Sequence, residues 1–449
     1  MTTHHRASFV MPLDLMWGHG TDWKALPVDA FWTVSAVCDS LLGDRYLRQR
    51  LRHQRYRVAV VDLIYNECSL ALTHHLGIPS VGYWAFTFAG GEAQYTTAFS
   101  PPSSVPLIMT HYTDVMTFSQ RLYNHLHALA SHVVMQVQFL VTGYQILRHL
   151  PTCPWPNTLL SNLSGLLINS HPAIDYPRLL PPSFVNVGGL QIHTPKPLPK
   201  DLEEWLIGSG EAGTIVFSMG FIFQPTVVPK KVIYNLLDAF SRLPQRVLMK
   251  YTTSPTDPPP PPNVKMVPWL PQQDILSHPQ TKLFFTHFGM HGVLESLYHG
   301  VPMVGMPVFA DQRDVLVRLE QRGVARGVDK MADGSNIYEA IVDVLNNGSY
   351  RDNARRLSTI LHHHPQKPLD HALWLIEHVA DTQGAPHLKF SARHLNFFQF
   401  FGFDVLAFVA VGVFLLPRLL RVVCQLLRRL LQGVGSWVGR VSRPKMKKA

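Results

Sequence analysis

Four cysteines in 449 residues (Cys38, Cys68, Cys153 and Cys424) are too few and too scattered for a disulfide framework or a thiolate metal site. Cys68 follows an apolar strand pattern and reads as a core residue, with a nucleophile as the alternative. Acidic residues are missing altogether from one region. From Arg418 to the C-terminus there are nine basic residues (Arg418, Arg421, Arg428, Arg429, Arg440, Arg443, Lys445, Lys447, Lys448) and no acid. The formal charge of +10 therefore belongs to a tail, the rest of the chain is close to neutral, and a nucleic-acid-binding surface is excluded. The N-terminus "MTTHHRASFVMPLDLMWGHGTDW" has no basic-then-apolar run of the kind a secretory signal needs. Long hydrophobic runs are also scarce, and the exception lies just before the basic tail.

That exception, "FFQFFGFDVLAFVAVGVFLLP" at 397–417, continues through Leu419, Leu420, Val422 and Val423. About 20 residues cross a hydrocarbon core, a length reached only if Arg418 and Arg421 snorkel. The expectation is one membrane span over 397–423, with a hydrophobic hairpin or interfacial helix as the alternative. The positive-inside rule puts the tail, 424–449, in the cytosol and the body on the other face. The ending "KMKKA" matches a dibasic endoplasmic-reticulum retrieval pattern, or is simply a solvated tail. Asn162-Leu-Ser and Asn347-Gly-Ser are sequons that matter only for a lumenal body.

Composition, 46% hydrophobic, suits two ordinary domains plus an appendage. Between 200 and 350, apolar strand patterns at 214–220, 246–251, 281–287 and 301–307 alternate with helical patterns at 229–244, 292–300 and 311–323. Such alternation predicts α/β architecture with a parallel, doubly covered sheet. The first half has the same character, with strands at 57–65 and 78–86 around a helix ending at Gly77. Pro and Gly in 188–205 read as a linker. The expected divisions are 1–187, the 188–205 linker, 206–375, and a 376–396 segment returning toward the first domain. Two such domains leave a cleft, and open α/β sheets bind ligands at the carboxyl ends of their strands.

At one such end lies "THFGMHGVLESLYHG". Gly289 and Gly292 allow close backbone approach, and the helix that follows offers free N–H groups and a positive dipole end, which together make an anion site. His287 can hydrogen-bond a phosphate oxygen, and Glu295, acceptor-only, suits a ribose diol. Taken on spacing alone, Glu295 merely complements the helix N-terminus and His287 caps a strand.

The wider stretch "VPWLPQQDILSHPQTKLFFTHFGMHGVLESLYHGVPMVGMPVFADQRDV", 267–315, resembles the signature of the UDP-glycosyltransferases, which conjugate sugars to lipophilic acceptors. The resemblance extends to "FVNVGGLQIHTPKPLPKDLEEWL", "VFSMG" and "HALWLIEHVADTQGAPHLKFSARHLNFFQFFGFDVLAF", and covers about 30 to 415. It implies two Rossmann-like domains facing a cleft (GT-B type), the first one incomplete, plus one transmembrane helix. It also implies a single-pass endoplasmic-reticulum membrane enzyme using UDP-glucose or UDP-glucuronate as co-substrate, with no metal or resident cofactor. Homo- or hetero-oligomers with related transferases go with the family.

Residue by residue, the resemblance implies that Trp269 stacks on uracil with Gln272 beside it. His287 and the backbone around His291 and Gly292 hold the diphosphate, with Ser218 of "VFSMG" also on the donor side. Glu295 takes the ribose hydroxyls, and Asp311 and Gln312 read the sugar. Many members carry a small residue at position 288 and Ser at 221, where this chain has Phe288 and Phe221. The family's reaction inverts the anomeric carbon, with a His base oriented by an Asp. The Asp falls at Asp62, or else Asp62 is a turn residue closing a strand. The His has no match: His4, His5 and His19 lie in or before "WGHGTDWKALPVDAFW", which resembles a later, acceptor-side segment. The first expectation is therefore a transferase whose front ~80–100 residues are not in this chain. The alternatives are a silent relative that binds UDP-sugar or pairs with active transferases, and a membrane lipid-binding scaffold with a decayed nucleotide site.

Overall fold

The computed structural model describes Trp17 and residues 28–86, 100–220, 223–395 and 397–441. His4, His5, His19 and Phe221 lie outside the described residues. The chain divides into two units, Met1–Phe390 and Ser391–Ala449.

The first unit holds two wholly parallel sheets. Strands β1 (Ala59–Asp62), β2 (Ser80–Trp84), β3 (Gly165–Ile168) and β4 (Phe184–Asn186) run in that order across the first sheet. Strands β5 (Thr214–Ser218), β6 (Arg246–Lys250), β7 (Val264–Val267), β8 (Thr281–Thr286), β9 (Met303–Gly305) and β10 (Ala325–Gly327) form the second, ordered β10-β9-β8-β5-β6-β7. Side chains of the second sheet alternate between two cores, as a period of two dictates. Ile215, Phe217, Val247, Met249, Leu283 and Phe285 enter one, and Val216, Leu248, Phe284 and Met303 the other. Helices Lys230–Ser241 and Met290–Tyr298 close opposite faces.

Three sequence-based expectations are corrected. Cys38 and Cys68 form a disulfide, their Cα atoms 5.5 Å apart, joining helix Val28–Gly43 to helix Glu67–His75. Too few cysteines for a framework still left one pair whose helices pack together. The stretch read as linker ends in a helix, Lys200–Ile207, because Leu202 and Leu206, one turn apart, are buried in the second domain's core. The return to the first sheet starts at helix Pro368–Asp381, whose Ala372, Leu375 and Val379 cover Val81, Leu167 and Val185.

Between β2 and β3 runs the 32-residue helix Phe118–His149, opened by a capping box of Thr117 and Gln120. Its polar Asn124, Gln138 and Thr142 face inward while Leu122, Leu126, Leu129, Val133, Val137, Leu140 and Tyr144 are exposed.

In the second unit, Phe397–Phe400 is a separate short helix ending before Gly402, whose φ of +69° breaks the chain direction. The long helix spans Phe403–Val441. Its segment Phe403–Val434 holds an 18-residue stretch of mean hydropathy 2.1, none of it buried, and is long and apolar enough to cross a membrane. The apolar helix therefore starts later and runs further than 397–423. Arg418, Arg421, Arg428 and Arg429 fall within roughly 100° of arc at 3.6 residues per turn, so they interrupt one face only.

Candidate active site at a strand switch point

The order of the second sheet reverses between β5 and β8. The chain moves outward from β5 to β6 and β7, returns to place β8 on the other side of β5, and continues to β9 and β10. Loops leaving β5 and β8 diverge to opposite faces, so a crevice opens at their carboxyl ends. Ser218 closes β5 opposite Thr286 of β8, and His287 is the next residue.

The His287 ring is wedged between two glycines. A Cβ at Gly289 would lie 2.5 Å from its Nε2, and one at Gly220, where φ is +64°, would lie 3.1 Å from Cε1. Nδ1 is sealed from solvent with no hydrogen-bond partner among the described residues. Burial, with the nearby Lys250 charge, pushes the imidazole down to about 4, so it is a neutral ring at physiological pH. A neutral imidazole can donate to an anion without requiring a buried cation. Phe288 takes φ +64° while fully buried, a left-handed conformation that costs a bulky residue ~1–3 kcal/mol.

Gly289 caps helix Met290–Tyr298, whose first turn carries His291 and Gly292. A Cβ at Gly292 would stand 3.3 Å from Phe284 and 3.5 Å from the Gln272 amide, so its absence lets this first turn pack closely against β8 and Gln272. Glu295, one turn on, is held from both sides. Gln272 Nε2 donates to Oε2 at 2.7 Å, and Gln191 Nε2 lies 3.4 Å from Oε1. Burial raises its carboxyl above the usual range, partly offset by these amides. Trp269, on the turn between β7 and the helix Gln272–Leu276 that carries Gln272, is 66% exposed.

Asp311 is buried and caps helix Gln312–Gln321. Gln312 Oε1 accepts from Val308 N–H at 2.7 Å and Phe309 N–H at 3.1 Å, which leaves its amide nitrogen as the group to meet a ligand.

Asp62 ends β1, solvent-exposed, its Oδ1 accepting from Ile64 N–H at 3.1 Å. It lies in register with Tyr83, whose hydroxyl is 3.3 Å from His291 Nε2. The carboxyl ends of the two sheets thus face each other across one hydrogen bond. Tyr83, Gln191 and Lys250 are site neighbours that sequence reasoning missed, although Tyr83 and Lys250 lay in the strands expected at 78–86 and 246–251 and Gln191 in the 188–205 stretch. Among the described residues no group of three or more His, Cys, Asp or Glu converges to hold a metal ion.

Comparison with known proteins decides the family of the chain. The sequence pattern of the UDP-glucuronosyl and UDP-glucosyl transferases matches residues 19–435. The chain belongs to this family. It is 34% identical to UDP-glucuronosyltransferase 1A8 of Rattus norvegicus, covering 84% of this chain and 71% of that protein. Against UDP-glucuronosyltransferase 1A10 of Homo sapiens the identity is 35%, over 84% and 70%. Among solved structures, a UDP-glucosyltransferase from Polygonum tinctorium capable of glucosylating indoxyl shares the fold, with TM-score 0.54, 20% identity and coverage of 81% and 84%. The spinosyn forosaminyltransferase SpnP does so too, with TM-score 0.54, 15% identity and coverage of 77% and 83%. The two facing parallel sheets are therefore the GT-B arrangement of this transferase family.

Proposed function

We propose that this chain binds a UDP-sugar at the β5/β8 crevice and transfers glucose, glucuronate or a related sugar to a hydroxyl of a small lipophilic acceptor. The observation that carries this reading is His287, wedged between Gly220 and Gly289 with a sealed Nδ1 that has no partner among the described residues, eight residues before the doubly held Glu295.

In this reading Trp269 stacks on uracil with Gln272 alongside. His287, Ser218 and the N–H groups around His291 and Gly292 hold the diphosphate, Glu295 takes the ribose hydroxyls, and Asp311 and Gln312 meet the sugar. The acceptor oxygen attacks the anomeric carbon as the bond to the UDP oxygen breaks, and configuration inverts. UDP leaves with the electron pair, its charge met by the helix N-terminus and Lys250. The acceptor proton passes to a base oriented by Asp62, and no histidine of this chain is assigned that role.

Phe403–Val434 then crosses the endoplasmic-reticulum membrane once, body lumenal and tail cytosolic, a reading supported by its hydropathy and by the arginines that follow. The Cys38–Cys68 bond supports the oxidising lumen.

A second reading is a relative that binds UDP-sugar without transferring it. It is favoured by Asp62, whose hydrogen bond goes to Ile64 in its own turn. Transfer from labelled UDP-glucuronate and UDP-glucose to a panel of phenols, alcohols and sterols, with UDP binding measured in parallel, separates the two. Transfer that falls ~10²–10⁴-fold in Asp62→Asn supports the enzyme. Binding without transfer supports the second reading, and neither binding nor transfer contradicts both.

A further inference from the structure

One helix of the second domain carries two separate attachments to the first, and it is the helix that begins with the sugar-facing turn. Along Gln312–Gln321 and its C-cap, Asp314, Arg318, Gln321 and Arg322 recur at the spacing of a single helical face.

The far end of that face makes the stronger attachment. Arg318 Nη1 is 2.7 Å from Asp175 Oδ1, with both side chains almost wholly buried. Burial would raise the Asp175 carboxyl, but the Arg318 and Arg178 guanidiniums outweigh it and hold the group below the usual range. Arg322 Nε donates to Ala173 O at 2.8 Å, and Tyr176 Oη donates to Gln321 Oε1 at 3.2 Å. Removing one partner here would leave an uncompensated buried charge, so this attachment holds the domains together.

The near end is of another kind. Asp314, one turn from Asp311, is buried and accepts Met109 N–H at 2.7 Å and His111 N–H at 2.9 Å, with His111 Nδ1 3.2 Å away. Met109 and His111 sit at φ +67° and +57°, left-handed backbone that non-glycine residues rarely adopt. Such conformations persist where surroundings over-determine them, and they concentrate at functional sites. Here the determinants are on both sides. Asn124 of the long first-domain helix donates to Pro102 O and Val105 O and accepts Leu107 N–H, and His127 Nε2 lies 3.1 Å from Ile108 O. Residues 107–111 are thus a strained strap fixed to the first domain and gripped by one carboxylate of the second.

We propose that Asp314 is a positioning residue for the transfer reaction: by gripping the 109–111 strap it sets the distance and angle of the Asp311–Gln312 turn relative to the acceptor-side sheet. The inference rests on the UDP-sugar reading of that turn. A carboxylate that accepts two backbone N–H groups fixes orientation as well as distance, and small misplacements of a bound sugar relative to its nucleophile are costly in rate. The grip touches neither His287 nor Glu295, so UDP itself binds without it.

The test is Asp314→Asn in the full chain, which puts an amide NH₂ against one of the two backbone donors. Three quantities are read: amide hydrogen exchange at Met109 and His111, UDP affinity, and kcat for transfer. The expected result is at least tenfold faster exchange at both amides, UDP affinity within about twofold of wild type, and kcat lowered ~10–100-fold. Unchanged kcat despite faster exchange overturns the proposal, as does a loss of UDP affinity that matches the loss of rate. Should Asp314→Asn not fold, His111→Ala and Met109→Gly replace it. They keep the backbone donors but release the imidazole contact or the strain, so the same split at smaller amplitude supports the proposal and unchanged kcat in both overturns it. If wild type binds UDP but transfers nothing, the transferase reading fails on that result alone. Exchange then still decides the grip: protected amides in wild type that are lost in Asp314→Asn support it, and unprotected amides contradict it.

Discussion

The two sheets of the first unit are built alike but finished differently. The six-stranded sheet is sealed on both faces, and its β5 has every residue buried. The four-stranded sheet has β1 at an edge, where Val60 is 51% exposed, and beside it a long helix that turns apolar side chains outward. The sealed half carries the crevice proposed to take a ligand of fixed chemistry, UDP, lined by close-packed glycines and a neutral buried histidine. The less finished half carries Asp62 and the proposed acceptor side, where a family gains by varying its loops. Burial in the described residues is thus more complete on the side proposed to meet one phosphate geometry.

The comparison can be broken from either side. Loss of the Cys38–Cys68 bond, by reduction or Cys68→Ser, removes the crosslink of a 30-residue separation in the first half. It should destabilise that half by ~3–4 kcal/mol in the chain-entropy account. Denaturant unfolding should show this while UDP binding persists; a parallel loss of UDP affinity would mean the halves are not separable in this way.

In the sealed half, Gly289→Val pushes a side chain into His287 Nε2 and should weaken UDP binding ~100-fold or more. Gly348→Ala, with nothing among the described residues within 4 Å of the added carbon, should leave calorimetric binding unchanged.

Acid should act on buried histidines in both halves. His171, His287 and His299 are pushed down to about 4, in each case chiefly by burial. Between pH 6.5 and 4 the unfolded chain binds protons that these folded rings refuse, so stability falls as pH drops through that window. For buried His171 alone the limit is on the order of 3 kcal/mol. Glu67, raised to about 7 by burial, works in the opposite sense. Between about 4.5 and 7 its folded carboxyl keeps a proton the unfolded one has lost, so its contribution declines as pH rises. Three histidines against one carboxyl predict a net loss of stability on going from pH 6.5 to 4.5, checked by urea unfolding, and His171→Phe should flatten it.

Much of the six-stranded half was legible in the sequence because buried parallel strands are near-continuous apolar runs between helical periods. The strands at 214–220, 246–251, 281–287 and 301–307 appear within a few residues of their expected ends. Legibility failed where partners are distant in sequence. Nothing local links Cys38 to Cys68, or Met109 and His111 to Asp314 some 200 residues on. The helix Lys200–Ile207 was hidden because prolines before it read as linker, although Leu202 and Leu206 already had helical spacing. At the site, His287, Glu295 and Gln272 were named from their motif, but the sealed Nδ1 and the second amide, Gln191, emerge only from packing.

The measurement that tests the account most directly is calorimetric UDP binding to the full chain in detergent, wild type against His287→Ala and Glu295→Gln. The account predicts saturable one-site binding, weakened tenfold or more in each variant, as loss of a hydrogen bond to a charged group implies for His287. No binding to wild type, or binding indifferent to both substitutions, would contradict the claim that the β5/β8 crevice is a nucleotide-sugar site.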